Sequence, residues 1–281
     1  MRDRKKNLKG KCNKCSLINS CGGCRAHAYA ENKDFFSEDP LCWKVLDNYD
    51  FLAKYYDYLM RQMDYPKKSE KIKKLLNKYK VNSVIDLGCG TGGFTISLKN
   101  LGFDCVGIDI SKEMIKVAKS KDRSITWINE DMTKAKTNKT FEAAICLFDT
   151  VNHLLSMKEV DKFFKNVASL LNEGGIFLFD INTDQKKKII KKVPSIFLLE
   201  NGKEIIQLNR VDKNFLISEF SLKGEPLNIE IKERLYCVKE IKNLLEKNNF
   251  KIINIYDGWD FEKKASNKSL RAMFFARKLS S

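Results

Sequence analysis

The ten residues Val84-Ile85-Asp86-Leu87-Gly88-Cys89-Gly90-Thr91-Gly92-Gly93 decide the fold of this chain. Apolar, β-prone residues lead into an acidic residue, and four glycines follow within six positions. The pattern predicts a buried strand that ends in a turn, because glycine tolerates positive φ angles and lets a ligand approach the backbone. Residues 94–99 are amphipathic, so the turn opens a helix whose N-terminus favours polar or anionic ligand groups.

The segments after the turn distinguish a dinucleotide site from a site for S-adenosylmethionine. Residues 103–109 read as a second strand that ends at Asp109, whose carboxylate suits the two hydroxyls of a ribose. Ser111 then caps a helix with one apolar face. Residues 124–128 predict a third strand before Glu130-Asp131-Met132, and residues 143–148 predict a fourth before Asp149.

This order of motifs resembles the class I S-adenosylmethionine-dependent methyltransferases over roughly residues 47–279. The resemblance implies an α/β, Rossmann-like, seven-stranded fold. It also implies that Asp86 and the glycine loop hold the methionine part of the cofactor. Asp109 would bind the ribose hydroxyls, Asp131 and Met132 would meet the adenine, and Ile110 would also contact the cofactor. The three loop glycines concerned are Gly88, Gly90 and Gly92. The alternative is a Rossmann-like domain that binds a dinucleotide or no cofactor.

Length and composition limit the number of domains and the kinds of partner that the chain can have. The 281 residues are 43% hydrophobic, which suits one large domain and a small appendage. The formal net charge is +16, but the lysines are scattered, which favours solvated surfaces over a nucleic-acid site. No apolar run approaches the ~20 residues that cross a membrane, and the first eleven residues are too charged for a secretory signal. We therefore expect a cytoplasmic protein without a membrane partner.

Five of the nine cysteines lie in the first 42 residues: Cys12, Cys15, Cys21, Cys24 and Cys42. The other four, Cys89, Cys105, Cys146 and Cys237, stand singly and are expected to act as small core residues. The spacing C-x2-C-x5-C-x2-C indicates a metal site, and the five-residue gap is tight for a zinc finger but suits an iron–sulfur cluster. Zinc, a disulfide or no metal are the alternatives.

The stretches Gly10-Lys11-Cys12-Asn13-Lys14-Cys15, Cys21-Gly22-Gly23-Cys24 and Asp39-Pro40-Leu41-Cys42 resemble the SPASM-type end of radical S-adenosylmethionine enzymes. The resemblance implies that Cys12, Cys15, Cys21 and Cys42 bind an auxiliary [4Fe–4S] cluster, whereas Cys24 matches a ligand of a neighbouring cluster. His27 is an alternative ligand. The radical core and its own three-cysteine motif are missing from the sequence, so we expect a radical enzyme, if any, as a partner.

Two segments are expected to build the acceptor side. Residues 49–60 carry aromatic residues at helical spacing, and residues 149–155 follow the fourth strand. Together they resemble the small-molecule N-methyltransferases, which implies that Tyr56 and His153 line the acceptor site and that Tyr65 lies against the cofactor. His153 would accept a proton or, alternatively, order its loop.

An antiparallel insert is predicted after the fifth strand, because residues 195–200 and 204–208 form a hairpin pattern and the alternation continues through 214–236. Helix 238–245 and closing strands 251–256 and 269–276 follow, with Trp259 as a pocket wall or a surface residue between them. The chain is thus divided into a Cys-rich segment (1–44) and a methyltransferase domain (45–281), with a lid at 183–236.

The predicted reaction is methyl transfer from S-adenosylmethionine to a nitrogen or oxygen of a small molecule. A second hypothesis is methylation of a peptide or tetrapyrrole product of a partner radical enzyme. A third is a non-catalytic, cluster-bearing docking protein.

Overall fold

The computed structural model describes residues 4–13, 18, 21–39, 48–190, 193–199, 202–223 and 228–280. Within these ranges the helices are α1 (Arg4–Asn7), α2 (Gly10–Asn13), α3 (Arg25–Asn32), α4 (Asn48–Leu52), α5 (Tyr56–Leu59), α6 (Tyr65–Asn77), α7 (Gly93–Asn100), α8 (Lys112–Lys121), α9 (Met157–Leu170) and α10 (Val238–Lys247). The strands are β1 (Ser83–Leu87), β2 (Asp104–Asp109), β3 (Thr126–Asn129), β4 (Phe141–Cys146), β5 (Leu171–Asn182), β6 (Ser195–Leu198), β7 (Glu204–Asp212), β8 (Phe215–Leu222), β9 (Asn228–Arg234), β10 (Phe250–Asp257), β11 (Asp260–Lys264) and β12 (Arg271–Lys278). Short 3-10 helices, Thr150–His153 and Asp184–Lys188, follow β4 and β5.

A mixed sheet forms the centre of the chain, in the order β11-β10-β12-β5-β4-β1-β2-β3. Strands β1 to β5 pair in parallel, and β10, β11 and β12 pair antiparallel. The α/β, Rossmann-like fold is confirmed, but the predicted count of seven strands is wrong, because β11 is an eighth. A turn at Gly258 (φ +59°) folds β11 back on β10, where Phe261 packs on Tyr256. Since Phe261 is the one large apolar residue of β11, no alternation marks this strand in the sequence.

Helices cover both faces of this sheet. On one face α9 and α10 bury side chains such as Phe163 and Ile241 against the strands. On the other face α6 and α7 contribute Ile72 and Phe94 to a second core cluster. The parallel strands are therefore buried on both sides, and ligands are left to the loops at the carboxyl ends of the strands.

The predicted antiparallel insert is confirmed as a separate sheet in the order β6-β7-β8-β9. One face of this sheet places Ile205, Ile229 and Ile231 against Leu52 and Leu59. The sheet therefore packs on the segment that precedes the parallel strands, and that segment lies between the insert and the glycine turn.

We call residues 48–65 the strap. The periodicity of residues 49–60 predicts one helix, but this prediction is wrong, because the strap forms two short helices, α4 and α5. Each carries a carboxylate bound to a different element: Asp50 accepts from the Ser111 hydroxyl (2.5 Å), and Asp57 accepts from the Thr91 hydroxyl (2.6 Å). These tertiary hydrogen bonds accompany the break in the strap and hold it over the parallel sheet.

None of the helices in the described ranges combines the length and apolarity that spanning a membrane requires.

Candidate functional site

The glycine turn follows β1 at the carboxyl edge of the parallel strands. Gly88, Gly90 and Gly92 have φ angles of +81°, +54° and +77°, as expected for a turn that needs glycine. A Cβ atom on Gly88 would lie 2.3 Å from Thr150, and one on Gly92 would lie 2.5 Å from Trp127. Contacts within the protein therefore already require glycine at these two positions, independently of any ligand.

A cavity of about 330 Å³ opens beside this turn. Its wall brings together six of the predicted cofactor residues and several others: Gly88, Gly90, Asp109, Ile110, Asp131, Met132, Tyr49, Tyr56, Met114, Glu130, Phe148, Thr150, His153 and Leu154. Gly92 is outside this wall and packs on Trp127 instead. The structure thus gathers the ends of β1, β2 and β3 around one space, as the doubly wound topology requires.

The acidic residues of this cavity are held by backbone N–H groups. Asp109 accepts from the Gly90 amide (2.8 Å) with Oδ2 and from the Ser111 amide (2.9 Å) with Oδ1. Asp131 accepts from the Thr133 amide (2.8 Å) with Oδ1. Beside Asp109, the Ile110 side chain is 62% exposed, which leaves an aliphatic surface at the cavity rim.

Asp86 and Tyr65 lie on the inner side of the turn, where they line a smaller space of about 30 Å³. The Thr95 hydroxyl donates to Asp86 (2.6 Å). Burial raises the pKa of Asp86 to about 7, although this hydrogen bond favours the charged form. The Tyr65 ring covers Gly93 so closely that a Cβ there would lie 2.7 Å from it.

A second cavity, of about 380 Å³, adjoins the first and is roofed by the insert. Four residues line both cavities: Tyr49, Tyr56, Phe148 and His153. The rest of the second wall comes from the strap, α6, the loop after β4, the insert and the segment from β10 to β12: Leu52, Leu59, Met60, Met63, Lys68, Asp149, Phe197, Gln207, Phe220, Ile231, Glu233, Trp259 and Arg271. Trp259 stacks on Phe148 (ring centroids 5.4 Å apart), so it is a pocket wall, the first of the two roles predicted for it.

The predicted acceptor residues Tyr56 and His153 meet at the junction of the cavities. Tyr56 lines the two large cavities and the small space beside Asp86, and burial raises the pKa of its hydroxyl, so it stays neutral. The Tyr49 hydroxyl lies 2.9 Å from Nε2 of His153, with the two rings nearly perpendicular. Sequence reasoning placed Tyr49 on the acceptor side but did not identify it as the partner of His153.

A network of charged and amide side chains forms the polar wall of the second cavity. Arg271 binds Asp149 (Nη2 to Oδ1, 3.1 Å) and also the fully buried Asp180. The Asn182 amide donates to Asp149 (2.7 Å) and to Glu233 (2.9 Å). Strands β5, β9 and β12 and the end of β4 thus converge on one cluster.

The two carboxylates of this wall have opposite pKa shifts. Burial raises the pKa of Asp149, but the charges of Arg271 and Lys186 outweigh burial and lower it to about 2. Burial and then the charge of Asp149 raise the pKa of Glu233 to about 8, against the opposing effects of Lys186, Asn182 and Arg271. Neighbouring carboxylates with separated pKa values are a common arrangement in enzyme sites.

Sequence reasoning did not select this network. Asp149 could have been predicted as a site residue, since it follows a parallel strand at the edge where ligands bind. Glu233 also leaves a signal, because it interrupts the buried series Ile229 and Ile231 on alternate positions of β9. Nothing in the sequence places Arg271 beside Asp149, since 122 positions separate them.

Asn152, which precedes His153, holds the loop after β4 against β5 and β9 through hydrogen bonds. The fully buried side-chain NH2 of Asn152 donates to the backbone carbonyls of Asn182 (2.9 Å) and Arg234 (2.6 Å). Its side-chain oxygen accepts from the backbone N–H of Asn182 (2.9 Å). The loop, β5 and β9 are therefore connected through one side chain, which positions His153 and Glu233 relative to each other.

In the Cys-rich segment, Cys12, Cys21 and Cys24 are described, whereas Cys15 and Cys42 lie outside the described residues. Cys12 is buried, and its sulfur accepts from the Asp39 amide (3.4 Å) and from Arg25 (3.6 Å). Within the described ranges, no three His, Cys, Asp or Glu side chains are grouped as a metal site requires. Cys89, Cys105 and Cys146 are buried in the core, as predicted, but the prediction is wrong for Cys237, which is only partly buried at the start of α10.

Residues 84–175 match the family model described as a methyltransferase domain. An uncharacterized protein of Methanocaldococcus jannaschii is 32% identical over 215 residues, which cover 74% of this chain and 77% of that protein. A candidate methyltransferase of Geobacillus is 30% identical over 145 residues, or 49% of this chain. The chain spans 59% of the length of that relative.

Solved structures share the fold. An S-adenosylmethionine-dependent methyltransferase from Clostridium acetobutylicum superposes with a TM-score of 0.72 at 24% identity, covering 83% of this chain and 99% of that one. The sugar N-methyltransferase KedS8 from Streptoalloteichus superposes with a TM-score of 0.66 at 14% identity, covering 81% and 93%. The matched domain and the shared fold show that this chain carries a class I S-adenosylmethionine-dependent methyltransferase domain.

Proposed function

We propose that this chain transfers a methyl group from S-adenosylmethionine to a nitrogen or oxygen of a small molecule. The observation that carries the proposal is the junction of two cavities at Tyr49, Tyr56, Phe148 and His153. When bound, the cofactor supplies an electrophilic methyl group on a sulfonium and leaves as S-adenosylhomocysteine. The second cavity is large enough for a small ligand and shares a wall with the first, so an acceptor there would face the methyl group.

The residues of the first cavity fit the cofactor. Asp109 and Asp131 present carboxylates at its edge, where ribose and adenine groups donate hydrogen bonds. A heterocycle would cover the exposed aliphatic surface of Ile110. Asp86 and Tyr65 would meet the methionine end, because they lie on the inner side of the turn.

The second cavity suits an acceptor held between aromatic walls. Phe148 and Trp259 form a stacked pair on one side, and the insert closes the other. Holding a nucleophile in line with the methyl group supplies much of the rate of such transfers. Among acceptor atoms, nitrogen is favoured, since Asp149 and Glu233 offer carboxylates to an amine. In the proposal His153 accepts a proton or keeps its loop ordered through Tyr49.

A labelled-methyl assay tests the proposal. The purified chain is incubated with methyl-labelled S-adenosylmethionine and matched probes that differ in one group, such as cyclohexylamine with cyclohexanol and galactosamine with galactose, and with fractionated metabolite extract. We expect label in a low-molecular-mass product, with amines preferred. If the chain binds no S-adenosylmethionine in calorimetry and labels no fraction, the enzyme proposal is wrong and the third hypothesis, a non-catalytic docking protein, gains support.

The same assay examines the second hypothesis, methylation of a peptide or tetrapyrrole made by a partner radical enzyme. The SPASM-like cysteine motif is the feature that favours it. Label that appears only in peptide or tetrapyrrole fractions would support this hypothesis over a free small molecule.

We also propose that the Cys-rich segment binds a [4Fe–4S] cluster through Cys12, Cys15, Cys21 and Cys42. Two contacts support it: backbone N–H groups donate to the sulfurs of Cys12 (3.4 Å) and Cys21 (3.4 Å), as they do to thiolate ligands. Anaerobic purification with iron and sulfide analysis is the test, and about four irons per chain are expected. Cys12→Ser should abolish binding and Cys237→Ser should not; zinc or no metal in the wild type contradicts the proposal.

The division of the chain at residues 44 and 45, with 183–236 as a lid, is likewise a proposal. The contacts of the insert with the strap are its main support. Limited proteolysis is expected to cleave between residues 40 and 47 first, and S-adenosylhomocysteine is expected to protect residues 183–236.

A further inference from the structure

Glu233 occupies an unusual place on the insert. It lies on β9 on the same face as Ile229 and Ile231, is 8% exposed and forms part of the acceptor-cavity wall. Charged residues are rarely buried on an apolar strand face unless they are fully paired. Within the described residues, the hydrogen bond from Asn182 to Oε2 is the one that the Glu233 carboxylate receives, which leaves Oε1 available to a ligand.

Asp149 lies on the same wall but is already engaged. Its Oδ1 accepts from Arg271 and its Oδ2 accepts from Asn182. Because both oxygens are bound and a guanidinium is adjacent, Asp149 is a fixed negative charge. Glu233 therefore differs from Asp149 in having one oxygen that can exchange a proton with an acceptor.

We propose that Glu233 of the insert accepts the proton of an amine acceptor, an assignment that rests on the proposed methyl transfer. In this step an ammonium group binds, and one N–H proton moves to Oε1 of Glu233. The nitrogen lone pair then forms the N–C bond to the methyl group, while the C–S bond breaks and its electron pair goes to sulfur. After the methylated ammonium leaves, the proton on Glu233 passes to water. The insert would thus supply a catalytic residue as well as a roof.

The charges around Glu233 determine its pH range. From the loop after β4, Asp149 and His153 line the same cavity, and the strap contributes the neutral Tyr49. Lys186 follows β5 and Arg271 lies on β12, and both oppose the rise in the pKa of Glu233. With a pKa of about 8, Glu233 must lose a proton to act as a base at neutral pH. The rate with an amine is therefore expected to rise about tenfold per pH unit below pH 8.

The experiment compares Glu233→Gln, Glu233→Asp and Glu230→Gln with the wild type. Glu230 is exposed on the same strand, so it is a matched control. Initial rates are measured from pH 5.5 to 9.5 with cyclohexylamine or the best amine found in the labelled-methyl assay. We expect Glu233→Gln to lower kcat at pH 7 about 100-fold or more. The same variant should also lose the rise of the rate with pH that ends near pH 8. Glu233→Asp should restore part of the rate, and Glu230→Gln should match the wild type. The affinity for S-adenosylmethionine should change less than about twofold in all variants.

Proton release provides a second measurement that does not depend on turnover. With S-adenosylhomocysteine bound, calorimetry of cyclohexylamine binding in two buffers of different ionisation enthalpy counts protons. The wild type should release about one proton per amine at pH 7, and Glu233→Gln should release none.

Three results would overturn the assignment. One is a limb near pH 8 that persists in Glu233→Gln. Another is a limb of the pH–rate profile that disappears in His153→Ala but persists in Glu233→Gln. The third is methylation of alcohols alone by the wild type, which would support the methyltransferase proposal and contradict the proposed role of Glu233. Absence of any methyl transfer would contradict both the methyltransferase proposal and the role of Glu233.

Discussion

The two cavities share four wall residues but are built differently. Apart from the shared residues, the first is walled by residues at or soon after the carboxyl ends of β1, β2, β3 and β4, mostly within residues 88–132. The second draws on the strap, the insert and β12, from Leu52 to Arg271. The wall of the first cavity is therefore local in sequence, whereas the wall of the second exists only after distant strands have paired.

The carboxylates of the two cavities differ in the same way. Asp109 is held by backbone amides of Gly90 and Ser111, which lie on neighbouring loops. Asp149 is held by side chains of Arg271 and Asn182, which belong to other strands. A change on the cofactor side should thus affect ligand affinity most, and a change in the acceptor network should affect the stability of the fold.

The largest effect is expected from Arg271→Met. This change leaves the fully buried Asp180 and the neighbouring Asp149 without their cation. We expect the free energy of unfolding, measured with urea, to fall by about 3–5 kcal/mol. Arg277→Met on the same strand removes a hydrogen bond to Gly174 and should cost about 1 kcal/mol. Equal losses in the two variants would mean that the network does not stabilise the acceptor side.

Asp109→Ala should have the next largest effect, which is a lower affinity for S-adenosylmethionine. It removes two hydrogen bonds that shape the turn and a proposed contact with the ribose. Calorimetry should show about 100-fold weaker binding of S-adenosylmethionine, or about 3 kcal/mol. Asp104→Ala, at the exposed opposite end of β2, is the control and should leave affinity unchanged. A small change in both variants would exclude Asp109 from the cofactor site.

Asp86 should make stability depend on pH. Its pKa of about 7 lies above the value of ~3.9 for an unfolded chain, so the folded state binds more protons between these values. Its contribution to the free energy of unfolding therefore falls as pH rises from ~4 to ~7, by at most about 1.4 kcal/mol per unit. Asp86→Asn should remove this part of the slope in urea titrations, and Asp104→Asn should retain it. If the free energy of unfolding changes with pH equally in the wild type and both variants, the raised pKa of Asp86 is contradicted.

The smallest effects are expected at the junction of the cavities. His153→Ala and Tyr56→Phe should lower kcat about tenfold, because they loosen the position of the acceptor. Binding of S-adenosylmethionine should stay within about twofold of the wild type. His27→Ala and Tyr79→Phe, at residues outside both cavities, are matched controls. Full activity of both junction variants would remove these residues from the acceptor site.

Much of this site could be predicted from the sequence. The structure places Asp86, Asp109 and Asp131 beside the turn, and it places Tyr56 and His153 where the cavities meet. Motif spacing predicts the three acids because Asp86 and Asp109 lie at the ends of β1 and β2 and Asp131 closely follows β3. The strap was predicted as one helix because its periodicity is helical, but the hydrogen bonds of Asp50 and Asp57 join it to other elements. Strand β11 was not predicted because it carries almost no apolar pattern.

The sequence by itself determined the parallel fold, the glycine turn and the cofactor class, because glycine positions, strand-ending acids and helix caps act over a few residues. The tertiary structure alone decided that Glu233, Asp149 and Arg271 share one wall. Their approach depends on the register of β9 on β8 and of β12 on β5, and the sequence spacing of the three residues carries no trace of that pairing.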